Sequence, residues 1–243
     1  MRVIGHRGAR GLAPENTIAS LEAAIMHGAD AIEIDVRVTK DGVPVLHHGK
    51  AVRDASGRLR IRTHRLAELR QHCPGLPTLA EAIAAVNRRV PLILEIKNGE
   101  PAAPIAAVIG SCLRSGWKPA DLQVASFSWR VLCDVRRRLP VLPLIVSDRW
   151  SAVRAASRAR RLGTRWIIMQ QRWLWPGLIS LLHRRQYELT AYTLNNPRRA
   201  RRFARAGLYA VITDYPDRFK HRQALPASLP PGAHPPQPWH GPA

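Results

Sequence analysis

The sequence predicts an α/β fold, a single (β/α)8 TIM barrel, on three observations. Short apolar stretches rich in β-branched residues alternate with amphipathic ones along the chain. Eight such strand candidates can be counted, most of them followed by a helical stretch, which is the rhythm of a parallel sheet. The length, 243 residues with 46% hydrophobic, suits one closed barrel.

The first strand candidate is Arg2 to Gly5, followed by a helical stretch from Thr17 to His27. The second strand, Ala31 to Val38 (AIEIDVRV), is rich in β-branched residues. Asp41-Gly42 then predicts a tight turn, and Val43 to Leu46 an extended return. Residues from Gly49 to Pro77 break the rhythm: they are polar and Arg-rich where a helix is due, and read as a short insertion after strand two. It ends at Thr78, which with Glu81 three residues on forms a capping box opening the helix Thr78 to Asn87. The remaining strands are expected at Pro91 to Lys97, Leu122 to Phe127, Val141 to Val146, Trp166 to Gln170, Glu188 to Thr193 and Ala210 to Thr213. Amphipathic stretches between them include Ala102 to Ser115, Trp129 to Arg138 and Pro197 to Ala206. The barrel domain is thus expected over residues 1–222, with its insertion at about 49–77. Residues 223–243, Pro-rich and without apolar periodicity, are expected to form an extended or disordered tail.

The formal net charge of +21 comes mostly from arginine, concentrated at 136–138, 154–165 and 198–205. It favours anionic partners, and a weak contact with an anionic lipid surface fits it. The arginine clusters lack interleaved aromatics, so nucleic-acid binding is not expected as the main task. Cys73, Cys112 and Cys133 make neither a metal spacing nor an even disulfide set, which points to a reducing, cytoplasmic setting. The opening MRVIGHRG has no apolar signal region, and no apolar run is long enough for a membrane span.

The chemistry-bearing residues collect at the C-terminal ends of the predicted strands, where a parallel barrel places its site. Alternation along strand two points Glu33 and Asp35 the same way and Ile32, Ile34 and Val36 the other. Two inward carboxylates must be compensated, either by a divalent cation such as Mg2+ or Ca2+ or by some of the many arginines. His6-Arg7-Gly8 follows strand one, His48 follows the return of strand two, Glu95 and Lys97 end strand three, and Thr193 and Asn195 follow strand seven. Together they would form a cation site beside a positive pocket, suited to a phosphodiester.

These residues carry a specific resemblance. GHRGARGLAPENTIAS followed by EIDVRVTKDGVPVLHH, then LEIK at 94–97, SF at 126–127, YTLNNP at 192–197 and ITDYPDRF at 212–219, resembles the glycerophosphodiester phosphodiesterase family in its bacterial cytoplasmic form. The resemblance runs from Val3 to about Phe219 and implies a phosphodiesterase barrel of the phospholipase C type. It further implies metal-dependent hydrolysis of a glycerophosphodiester to glycerol 3-phosphate and an alcohol, through a cyclic phosphate. By the same resemblance Glu33, Asp35 and Glu95 would bind one divalent cation, and His6 and His48 would be the acid/base pair. Arg7, Lys97, Phe127 and Tyr192 would contact substrate. Glu15 and Asn16 are expected to bond the backbone of the first loop, Asp214 to fix another loop, and His47 to face away from His48.

Two positions depart from the family pattern. Gly49 stands where the family has Asp directly after the second histidine, and Tyr192 where it has Trp. Two alternatives stand beside this reading: hydrolysis of a lipid phosphodiester in the manner of a lysophospholipase D, supported by the basic surface and the short insertion, or a catalytically impaired barrel that only binds anions, supported by Gly49.

Overall fold

The computed structural model describes residues 1–54 and 57–219. β1 (Arg2–His6) leads into α1 (Ile18–Met26) and β2 (Ala31–Val38). The insertion follows, with β3 (Pro44–Leu46), β4 (Ala51–Asp54), β5 (Gly57–Arg60) and α2 (Leu66–His72). From there helices and strands alternate: α3 (Leu79–Val86), β6 (Leu92–Ile96), α4 (Ala102–Arg114), β7 (Leu122–Ser126), α5 (Trp129–Arg138) and β8 (Leu144–Asp148). The chain closes with α6 (Ala152–Arg161), β9 (Trp166–Gln170), α7 (Pro176–Arg184), β10 (Glu188–Tyr192), α8 (Pro197–Arg205) and β11 (Ala210–Thr213). Among the described residues, β1, β2, β6, β7, β8, β9, β10 and β11 pair in parallel, and β1 closes the barrel by pairing with both β2 and β11. β3 runs antiparallel along the far end of β2, opposing Leu46 to Val36.

Strand alternation divides the core in two. Ile32, Ile34 and Val36 of β2, with Leu92, Leu94 and Ile96 of β6, pack outward against the helices. Ile4, Ala31, Ile93, Ala125, Ile145, Ile168, Ala210 and Ile212 form a second cluster that plugs the barrel interior. A third, smaller cluster of Val45, Val52, Ile61, Leu69 and Leu76 gives the insertion its own apolar centre.

Side-chain caps start several helices where the loops end. Thr17 and Thr78 accept from the backbone N–H three residues on, and each donates its own backbone N–H in return to the side chain of Ser20 or Glu81. Ser128, Ser151 and Asn196 cap α5, α6 and α8. Each such cap is worth ~1 kcal/mol and fixes where the preceding loop must stop.

The fifth strand starts later than Val141. Val141 is exposed, Leu142 closes a turn onto Leu139, and Pro143 gives its carbonyl to Val124, so the ladder begins at Leu144. α6 escaped the periodicity because its buried positions are only Ala155 and Ala159, set among arginines. The insertion contains a β-hairpin and a helix, which its polar composition did not announce. The predicted tail, 223–243, lies outside the described residues. The three cysteines are free, and no helix among the described residues is long and apolar enough to cross a membrane.

Candidate active site

The site begins where β1 ends. Arg7 and Gly8 take left-handed backbone, at φ 52° and 83°. Gly8 sits so close to α1 that a Cβ would lie 2.3 Å from Ser20 Oγ, so only glycine fits. This reversal turns the Arg7 N–H onto Glu33 Oε2 at 3.0 Å. It also leaves His6, 8% exposed, at the mouth of the barrel beside Glu33, its register partner on β2.

Glu33 and Asp35 of β2 and Glu95 of β6 converge as the alternation predicts, Asp35 lying opposite Glu95 in the ladder. One oxygen from each falls within 4.8 Å of the others. Burial, then the neighbouring charges of Asp35 and Glu95, push the Glu33 carboxyl well above the usual range. Burial also raises Glu95, aided by Asp35 and opposed by Lys97. Asp35 is held below its ordinary value although burial works against it, because Lys97, Arg7 and Asn16 all favour its charge. The Lys97 ammonium touches both Asp35 and Glu95. Burial disfavours that charge, yet the three carboxylates outweigh it and raise the Lys97 pKa. Glu33, Asp35 and the partly buried Glu95 thus outnumber the cations beside them, Lys97 and an Arg7 shared with Glu15. Hard oxygen donors within 4.8 Å of each other are what a divalent cation takes, so the donor set fits one.

Arg7 reaches two ways. Its Nε lies 3.0 Å from Asp35 Oδ2, and its terminal nitrogen donates to both oxygens of Glu15 at 2.7 and 2.8 Å. Glu15 therefore pairs with arginines rather than with the backbone, a correction to the expectation. Asn16 does bond backbone, accepting from the Asp35 N–H at 3.0 Å, but it also donates to Asp35 Oδ2 at 2.9 Å. It fixes a carboxylate of the site from a φ of 57° that asparagine tolerates.

His48 stands on the rim after β3. Burial, with the charges of Arg7 and Lys97, lowers its pKa to about 4 against the opposing pull of Asp35 and Glu15. Its position is set by a pair that sequence reasoning missed. Arg37 donates two hydrogen bonds to the His48 carbonyl, at 2.9 and 3.2 Å, and pairs with buried Glu100 at 2.8 Å. Glu100 in turn accepts from the Val38 N–H. The signal was available: Arg37 continues the alternation of Glu33 and Asp35. His47 donates its backbone N–H to Asp35 O, and its ring Nδ1 lies 2.9 Å from the Gly49 carbonyl. A Cβ on Gly49 would stand 3.1 Å from the His47 ring, so the glycine lets the two residues close up.

Asp214, after β11, does more than fix a loop. Its Oδ1 is 2.6 Å from His6 Nδ1 and 2.9 Å from Arg10 Nε, and Asn195 donates to its Oδ2 at 2.8 Å. Burial raises Asp214, but the hydrogen bonds from His6 and Asn195 outweigh it and hold the carboxyl below its usual range. That contact commits Nδ1 of the imidazole and leaves Nε2 without a hydrogen-bond partner among the described residues. Thr193 Oγ1 lies 3.5 Å from the same Nδ1, and Asn195 also accepts from Thr213 and the Asp214 N–H. Across the mouth, Phe127 and Tyr192 meet edge to face at 6.0 Å. Burial raises the Tyr192 phenol, opposed by Arg149.

Comparison with known proteins agrees with this geometry. The chain is 28% identical over 229 residues to a glycerophosphodiester phosphodiesterase of Caldanaerobacter subterraneus subsp. tengcongensis, covering 88% of this chain and 94% of that one. It is 26% identical over 246 residues to a glycerophosphodiester phosphodiesterase of Bacillus subtilis, covering 89% and 84%. Among solved structures, an Oleispira antarctica phosphodiesterase in complex with the product sn-glycerol-3-phosphate superposes with a TM-score of 0.79 at 29% identity, over 90% of this chain and 94% of that one. Residues 6–218 match the model of the glycerophosphoryl diester phosphodiesterase family, from the histidine that opens the site to a point just past the aspartate that holds it; the chain belongs to that family of hydrolases.

Proposed function

We propose that this protein hydrolyses glycerophosphodiesters to glycerol 3-phosphate and an alcohol, with a divalent cation, Mg2+ or Ca2+, held by Glu33, Asp35 and Glu95. The observation that carries the reading is that cluster of three carboxylates, set between two histidines and next to Arg7 and Lys97. When bound, the cation would offset negative charge that builds on the phosphate. Arg7 and Lys97 hold the phosphate oxygens, Arg7 with a charge it never loses. Phe127 and Tyr192 flank the alcohol.

His48, kept neutral by a pKa of about 4, is placed to take a proton. His6 has its Nδ1 committed to Asp214, which leaves Nε2 to give one to the departing alcohol. Asp214, Arg37 and Asn16 act through these groups rather than on substrate. The nucleophile is the hydroxyl of the glycerol next to the phosphoester: it attacks phosphorus, the alcohol leaves with the His6 proton, and water then opens the cyclic phosphate. Among the described residues, neither His6 nor His48 has a serine or cysteine as a hydrogen-bond partner. An already tethered hydroxyl is worth ~7–11 kcal/mol when well oriented.

The test is glycerophosphocholine with the purified protein. Choline and glycerol 3-phosphate should appear only with added divalent cation, and a 2-deoxy analogue should bind, compete and hardly react. Cation-independent turnover would overturn the site, and fast hydrolysis of the analogue would overturn the cyclic route while leaving the cation site standing.

A further inference from the structure

Three exposed tryptophans stand on the loops at the same end of the barrel as the site. Trp150 follows β8 and is 58% exposed; Trp173 and Trp175 follow β9 and are 43% and 60% exposed. Large indoles are costly to leave in water, and a contiguous exposed group of them marks a contact surface. Trp150 and Trp173 already meet edge to face at 5.5 Å, and the Arg149 guanidinium lies 5.8 Å from the Trp150 ring centre. Their faces are therefore partly taken, while both residues stay exposed.

Beside Trp175 a groove of about 440 Å³ opens between the start of α7 and α8. Leu174, Pro176 and Phe203 give it an apolar floor, and Arg198, Arg199 and Arg202 line its rim. Arg199 is tied down by a bond to the Gln171 carbonyl and lies over the Phe203 ring. Arg198, Arg202 and Arg172 have no carboxylate partner among the described residues. An apolar floor, arginines without counter-charge and indoles at the edge are the features of a protein face that sits at the headgroup level of a bilayer.

We propose that this rim, from the loop after β8 to the first turns of α8, docks on an anionic phospholipid surface. Trp150, Trp173 and Trp175 enter the headgroup layer, and Arg172, Arg198 and Arg202 meet lipid phosphates. The mouth of the barrel then opens close to the membrane plane. A second copy of the chain is the poorer occupant: a two-fold interface would lay the patch on itself and bring unpaired arginines together. Single-stranded nucleic acid would need free ring faces for stacking, and the contact of Trp150 with Trp173 and with Arg149 takes up part of them.

The experiment is sedimentation of the full-length protein with vesicles of phosphatidylcholine alone or mixed with phosphatidylglycerol. Binding should appear only with the mixed vesicles, shift tryptophan emission to the blue and fade with added salt. R198A/R202A should weaken partitioning roughly thirtyfold, equivalent to about 1 kcal/mol per arginine. W150A/W173A/W175A should weaken it at least ~10-fold. Turnover of glycerophosphocholine by both variants should match wild type, a readout that tests the proposed chemistry separately. The two arginines lie on the exposed side of one helix, so their variant stands as the test if the tryptophan variant fails to fold. No binding to mixed vesicles, or equal binding by variants that fold, overturns the proposal. So does an oligonucleotide that displaces the vesicles, or a dimer in sedimentation velocity that the tryptophan substitutions abolish.

Discussion

The two ends of the barrel interior are built from the same strands, two residues apart, and are chemically opposite. Going up β1 the inward side chain changes from Ile4 to His6; on β2 from Ala31 to Glu33 and Asp35; on β6 from Ile93 to Glu95. After β11 the series runs from Ile212 to Asp214. The lower layer is apolar, fully packed and asks nothing of its neighbours beyond volume. The upper layer gathers carboxylates that burial and mutual repulsion disfavour: Glu33 and Glu95 are displaced upward, and Asp35 stays charged only through Lys97, Arg7 and Asn16. One layer contributes stability and no chemistry, and the other gives up stability to hold charges where a phosphodiester can meet them.

Substitutions at each end should therefore separate activity from stability. Glu33→Ala, Asp35→Ala or Glu95→Ala should each lower kcat by roughly 1000-fold or more, and Glu33→Ala, which removes a carboxyl whose charge burial disfavours, should do so without lowering the melting temperature in chelator. Retained cation-dependent turnover in all three would end the distinction between the layers. Ile93→Ala, one turn of the pleat below Glu95, should cost ~2–5 kcal/mol in urea unfolding, yet leave kcat/KM of the folded fraction near wild type. An activity loss as large as that of Glu95→Ala would show that the layers are not separable.

Smaller effects sharpen the contrast. Asp214→Asn should lower kcat ~10–100-fold, with KM changing far less, because it disturbs the orientation of His6 and not a group on the substrate. A change in KM alone would place Asp214 on the substrate instead. Glu33→Gln should stabilise the cation-free protein by about 1 kcal/mol near neutral pH. The sign follows from linkage. The folded carboxyl has the higher pKa, so its contribution to stability is intact below 4.5 and is lost as pH rises toward and through the folded value. The advantage of the glutamine variant should accordingly grow with pH from about 4.5 upward and shrink when cation is added. A pH-independent difference in unfolding free energy would mean that Glu33 is not held protonated by its surroundings.

The barrel was legible because its strands are buried on both faces and rich in β-branched residues, as at Ala31–Val38 and Trp166–Gln170, whose bounds match the expectation. The carboxylate cluster was legible because alternation is a local rule: Glu33 and Asp35 cannot point anywhere else once β2 is a strand. What escaped depended on long-range pairing. Asp214 reads as a turn residue until β11 closes beside β1, and Arg37 reads as one more surface arginine until Glu100, 63 residues on, comes beneath it. α6 escaped for a local reason, since alanine gives a weak apolar signal among arginines. Glu15 was misassigned because pairing with Arg7 depends on the left-handed turn at that residue.

The contact between His6 and Asp214 spans 208 positions of sequence and crosses the seam where the first and last strands meet. During synthesis His6 leaves the ribosome 208 residues ahead of its orienting carboxylate. β1 can pair with β2 at once, but its other edge stays open until β11 is made. A nascent chain can thus collect the carboxylate cluster from β2 and β6 long before His6 is held. Competence arrives in one late step, and turnover by a ribosome-released fragment ending before residue 214 would report an unclosed barrel as silence.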